Sequence, residues 1–144
     1  MLNAFPAKVL LLGEYTILNG SKALALPYWE LGGKWSFDKS ESEARFNSRK
    51  SLRDFMEKSG AQNIDLERMK NDFLEGLWFD SSIPQGYGLG SSGAVIAAIF
   101  SRYGKPQNKL EEDKKDLARL EDFFHGSSSG LDPLVSHIQK PLLI

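Results

Sequence analysis

The chain has 144 residues, no cysteine, two histidines, and 18 lysines and arginines against 19 aspartates and glutamates. That is the size of one ordinary domain, and it excludes a disulfide framework, a thiolate metal site and a histidine-based zinc cluster. The near-balance of charge excludes the broad positive field that drives nucleic-acid binding, so an anionic ligand has to be caught locally. Along the chain, "AKVLLLG", bounded by Pro6 and Gly13, reads as a buried strand. Its apolar core, residues 9–12, is followed at once by Glu14 and preceded by no basic segment, so it is expected to be mature structure and not a signal peptide. "KALALPYWEL" and "KWSFDKSESEARFNS" read as two further strands that turn at Gly32 and Gly33. From "SRKSLRDFMEKSG" the period becomes helical, with Leu52, Phe55 and Met56 on one face and Gly60 at the end. "DLERMKNDFLEGLWFDSSIP" begins as a second helix and passes through Gly76 into a strand, "LWFDSSI", stopped by Pro84.

"AVIAAIF" reads as a buried helix and "KLEEDKKDLARLEDFF" as a longer amphipathic one. A small-residue loop, "HGSSSGLDP", a short helical "LVSHI" and a terminal apolar "PLLI" complete the chain. The mixture indicates an α/β or α+β domain. No apolar stretch approaches the roughly 18 residues needed to span a bilayer. The expectation is a cytoplasmic protein without a membrane or nucleic-acid partner.

The stretch "QGYGLGSSGAVIAAIF", residues 85–100, sets four glycines and two serines before an apolar run. Gly88, Gly90 and Gly93 satisfy G-x-G-x-x-G, but "SIPQGY" stands where the dinucleotide fingerprint needs a strand running into its first glycine. The P-loop lysine is also missing, because Gly93 and Ala94 stand where G-K-[ST] would be needed. The physical content survives both rejections: glycines let backbone amides turn toward one point, and the helix starting near Ser92 adds free N–H groups and a positive dipole end. Such a loop suits a phosphate. Ser91 and Ser92 can cap the helix or reach a phosphate or its magnesium ion. A serine-capped turn without a ligand is the other reading.

Three further positions bear on that choice. Lys8 alternates with Val9 in the first strand and shares a face with Leu10 and Leu12. It is either a strand-entry lysine snorkelling to water or a fixed ammonium aimed at phosphate oxygens or a carboxylate. On the long helix, Leu110, Leu117, Leu120 and Phe124 define an apolar stripe that contains Glu121. Glu111, Glu112, Asp116 and Asp122 fall outside it, with Asp113 nearer, in the first turn. A carboxylate on a buried face needs a cation or a metal. Asp132 precedes Pro133, the ordinary N-cap and first-turn pairing, but it stands in a second small-residue loop close to Glu121. Two loops, a lysine and two carboxylates make a phosphoryl-transfer set.

"KVLLLGEYTILNG", "PQGYGLGSSGA" and "EDFFHGSSSGLDP" resemble, in the right order, motifs of the GHMP kinases, the galactokinase, homoserine, mevalonate and phosphomevalonate kinase superfamily. The last is similar to the mevalonate kinase form H-G-x-x-S-G-x-D, including the spacing from Glu121 to Asp132. The resemblance implies a two-layer α+β fold like the second domain of ribosomal protein S5. It implies that Gly86, Gly88, Leu89, Gly90, Ser91, Ser92 and Gly93 hold ATP, and that Ser92 and Glu121 ligate Mg2+. By the same likeness Asp132 takes the proton of a small-molecule hydroxyl, Lys8 orients it, and Glu14 lies on the substrate side. Tyr15 stands where mevalonate kinases usually carry a histidine, which leaves the identity of the substrate open. The resemblance implies a partner C-terminal domain with a third glycine-rich motif, so the chain is expected to be an N-terminal ATP-binding domain that docks to such a half or dimerises. A non-catalytic nucleotide-binding or interaction module derived from a kinase is the alternative. A chain pairing through an exposed apolar edge at "PLLI" is a third.

Overall fold

The computed structural model describes residues 4–11, 24–125 and 129–143. Strands β1 (Ala4–Leu11) and β2 (Leu24–Phe37) lead into helices α1 (Glu43–Lys58) and α2 (Leu66–Leu74), then β3 (Leu77–Ser81). Helices α3 (Ser91–Tyr103), α4 (Leu110–His125) and α5 (Leu131–Ile138) follow, and β4 (Leu142–Leu143) closes the chain order. The strands form one antiparallel sheet in the order β1-β2-β3, with β4 paired to the start of β2. Helices flank this sheet, so the fold is a two-layer mixed α/β arrangement, as expected. Among the described residues no helix is long and apolar enough to cross a membrane.

Gly32 and Gly33 do not turn the chain. They lie inside a continuous β2, and each is small because something passes close by: a Cβ at position 32 would stand 2.9 Å from the Phe5 carbonyl oxygen, and one at 33 would stand 2.2 Å from the Phe79 ring. Phe5, Trp35 and Phe79 fill the space so gained, with Trp35 edge-on to Phe79 at 5.3 Å and its indole N–H donating to the Ala98 carbonyl of α3. The sheet is thereby fastened to the buried helix.

The "SESEARFNS" segment, expected to be extended, starts α1 instead. Ser42 is its N-cap, accepting from the Arg45 N–H, and Glu43 lies in the first turn where the dipole favours an acid. Leu52, Phe55 and Met56 are buried as the spacing predicts. In the terminal "PLLI", Leu142 and Leu143 pair on one side with Ala25 and Leu24, and Leu143 stays 63% exposed. On α4 the apolar stripe differs from expectation at two positions: Leu110, expected within it, is 46% exposed, and Asp116, expected outside it, is buried along with Asp113, Leu117, Leu120 and Glu121.

Replacing Gly33 with alanine forces a methyl group into the Phe79 ring, which is itself packed on both sides. We expect a loss of about 1–3 kcal/mol of stability, measured by urea denaturation; an unchanged midpoint would show that the ring can move aside.

Candidate active site

The edge strand β1 brings the first site residue. Lys8 lies opposite Pro27, and its backbone N–H points away from β2 and donates outward to the Leu89 carbonyl at 2.9 Å. The glycine loop is thus hydrogen-bonded to the sheet beside Lys8. Gly86, Gly88 and Gly90 all have positive φ, so every second residue of the loop takes a left-handed conformation that other side chains resist.

Gly90 is the N-cap of α3, and no side chain caps that helix. The serine-cap reading therefore fails: Ser91 and Ser92 are already inside α3, and the Ser92 hydroxyl lies 3.4 Å from Glu121 Oε2. That contact is long for an O–H···O hydrogen bond. Glu121 is 5% exposed, so its place on the inward stripe of α4 is as expected.

The N-cap alternative for Asp132 does not hold. Gly130, at φ 78°, is the cap of α5, and Asp132 and Pro133 fall in its first turn. Gly130 is pressed against α4, where a Cβ would stand 2.6 Å from the Lys114 carbonyl oxygen. Asp132 then meets Lys8 in an ion pair of 3.0 Å, the lysine side chain 11% exposed and the aspartate 34%. The snorkelling reading of Lys8 is excluded. Asp132 keeps an open side.

The end of the glycine loop and the first turns of α3 and α5 converge on this pair. A Cβ built on Gly90 would lie 3.4 Å from Lys8 Cβ and 3.7 Å from Asp132 Cβ, and one on Gly93 would lie 2.9 Å from the Asp132 backbone. Lys8, Gly90, Gly93 and Asp132 thus form one cluster, with Ser92 and Glu121 on the other side of the first turn of α3. Glu14 and Tyr15 lie outside the described residues. Among the described residues, no three His, Cys, Asp or Glu side chains form a metal cage on their own.

Beside the loop, α1, β3 and α3 enclose a cleft of about 740 Å³ that reaches Gly86, Ser91 and Ser92. Asn47, Ser51 and Trp78 are among its walls, and the Trp78 indole nitrogen is buried without a hydrogen-bond partner. The sequence reading missed this cleft. Its walls come from three elements with no shared motif, and the one available signal was a tryptophan alternating with inward-facing Leu77 and Phe79.

Residues 48–137 match the family described as GHMP kinases N terminal domain. The chain belongs to this family. It is 30% identical to the mevalonate kinase of Thermococcus onnurineus over 96% of its own length and 49% of that protein's. With the mevalonate kinase of Pyrococcus furiosus the identity is 31%, over 92% of this chain and 48% of the relative. The solved mevalonate kinase of Methanococcus jannaschii superposes with a TM-score of 0.62 at 22% identity, covering all of this chain and 53% of that one, which establishes the shared fold. The chain spans about half the length of the curated relatives it matches.

Gly93→Ala would push α5 away from α3, because the new methyl meets backbone and not a movable side chain. We expect a longer Lys8–Asp132 separation together with about 1–3 kcal/mol of lost stability. A crystal structure of the variant with the 3.0 Å pair intact would refute it.

Proposed function

We propose that this chain is the N-terminal, ATP-binding domain of a kinase that phosphorylates the hydroxyl of a small molecule, mevalonate or a related alcohol or acid. The observation that carries the reading is the 3.0 Å Lys8–Asp132 pair standing against Gly90 and Gly93 of the glycine loop. An acid and a cation held beside a phosphate-suited loop match what phosphoryl transfer needs, which is positioning and neutralisation of charge.

In this reading the loop of Gly86, Gly88, Leu89, Gly90, Ser91, Ser92 and Gly93 receives the phosphates, helped by the free amides that open α3. The nucleoside occupies the adjoining cleft, whose volume lies in the usual range for ligand pockets. Trp78 is among the walls of that cleft. Ser92 and Glu121 are hard oxygen donors from two helices and would hold a magnesium ion. Two protein ligands suit an ion that keeps waters and phosphate oxygens around it. When bound, the ion would neutralise charge on the phosphates.

Asp132 accepts the proton of the substrate hydroxyl as that oxygen bonds to the γ-phosphorus and the bond to the ADP oxygen breaks. Lys8 fixes the orientation of the carboxylate and offsets charge on the transferred group. Glu14, in the first motif, is assigned to the substrate side. The part of the substrate pocket beyond these residues is assigned to a second half of the kind that the longer relatives carry.

Calorimetric titration with a non-hydrolysable ATP analogue tests the loop. Binding that depends on magnesium and is lost in Ser92→Ala is expected, with Glu121→Gln weakening the magnesium dependence. Affinity untouched by either change would return both residues to a structural role. For the chemistry, transfer to mevalonate is to be assayed with the chain joined to the remaining half of a full-length relative. Asp132→Asn and Lys8→Met should each lower the rate by about 10²-fold or more with ATP affinity kept. Normal turnover in either variant would remove that residue from the mechanism, and binding without any transfer would favour the non-catalytic module.

A further inference from the structure

Three helices present the site, each from one end: Ser92 at the start of α3, Glu121 toward the end of α4 and Asp132 at the start of α5. Two turns away, roughly 12 Å along α3 and α4 at 1.5 Å per residue, the same helices meet again. Phe100 of α3, Asp113 of α4 and His137 of α5 form this second junction.

The His137 ring is edge-on to Phe100, with centroids 5.1 Å apart. Its Nε2 lies 3.9 Å from Asp113 Oδ2, and the two side chains are only 16% and 8% exposed. The other oxygen of Asp113 accepts the Gln107 N–H at 2.9 Å, so this carboxylate also ties down the loop between α3 and α4. Burial pushes the imidazole below its ordinary range while Asp113 pulls it back up. Among the described residues, Asp113 is the charge that acts on it from the packed elements, and Phe100 supplies the uncharged wall.

Helix α5 has eight residues, too short to hold its direction without tertiary contacts. Its first turn carries Asp132 and its last turn carries His137. A tilt at one end moves the other.

We propose that Asp113 and His137 are a positioning pair: by fixing the last turn of α5 against the first turn of α4, they set where Asp132 stands relative to Lys8. The proposal rests on the reading of Asp132 as the proton acceptor, and it concerns the geometry of that residue only. Apolar packing on Phe100 is the competing account, and His137→Phe keeps the ring while removing its polar atoms.

The test is carbon-13 NMR of the Asp132 carboxyl, with the Cε1–H of His137 followed in parallel in the whole chain. Asp113→Asn should lower the His137 midpoint, since the carboxylate that raises it is gone, and should displace the Asp132 carboxyl signal. His137→Phe should displace that signal too. In the unaltered chain, the Asp132 signal should show an inflection at the His137 midpoint. This last measurement needs no variant to fold. An Asp132 signal unmoved in both folded variants, or without an inflection at the histidine midpoint, overturns the proposal. Turnover of Asp132→Asn decides separately whether that aspartate is the base.

Discussion

The close approach of α5 to the first turn of α3 governs this domain. At Gly93 the two backbones leave room for a hydrogen and nothing larger, because a Cβ there would stand 2.9 Å from both the backbone and the Cβ of Asp132. That distance brings a carboxylate from the first turn of α5 to the edge of the glycine loop and within 3.0 Å of a lysine on the sheet. Widening it by a methyl group would separate the elements that make the site. Gly130 does the same on the opposite side, letting the start of α5 press against α4. Helix α5 is therefore seated by two glycines, one its own and one belonging to its neighbour.

The sheet edges are used with similar economy. A bare strand edge is a row of unpaired polar groups that invites association with another chain. On the outer edge of β1, the Lys8 N–H is taken by Leu89 of the glycine loop. On the outer edge of β3, the Phe79 N–H donates to the Ser48 hydroxyl and the Leu77 carbonyl accepts from Arg49, both on α1. Each edge is covered by an element that also borders the cleft or the loop. Edge protection and site construction thus share the same hydrogen bonds.

What was legible in the sequence follows from which forces act locally. The helical face of α1 was readable because burial of Leu52, Phe55 and Met56 imposes a period on neighbouring residues, and α3 because Ile96 to Phe100 form one unbroken buried run. The inward place of Glu121 was readable for the same reason. Gly32 and Gly33 misled because a glycine pair signals a turn locally, whereas here its cause is the Phe5 backbone and the Phe79 ring from other strands. Asp132 was displaced from the cap by an αL glycine two residues earlier, a choice made by the contact with Lys114 and not by the Asp-Pro step. The Lys8–Asp132 pair could be suspected from residue types, but its 3.0 Å distance depends on a sheet, two loops and a helix arriving together.

Helix α4 shows how a buried acid can be told apart from its neighbours. Asp113, Asp116 and Glu121 all turn inward, and each such carboxylate carries a desolvation cost that a partner must offset. Asp113 is answered by the Gln107 N–H, close to its own end of the helix, with His137 Nε2 3.9 Å away. Asp116 is answered by Arg119, one turn further on the same helix, in a pair whose arginine is 71% exposed. Glu121 is the one of the three that reaches toward the opening turn of α3, and its contact with the Ser92 hydroxyl is long at 3.4 Å. The two aspartates fasten structure near their own positions, whereas the glutamate is directed across to the first turn of α3. That difference in direction, more than burial itself, is what separates Glu121 from its neighbours as a candidate ligand.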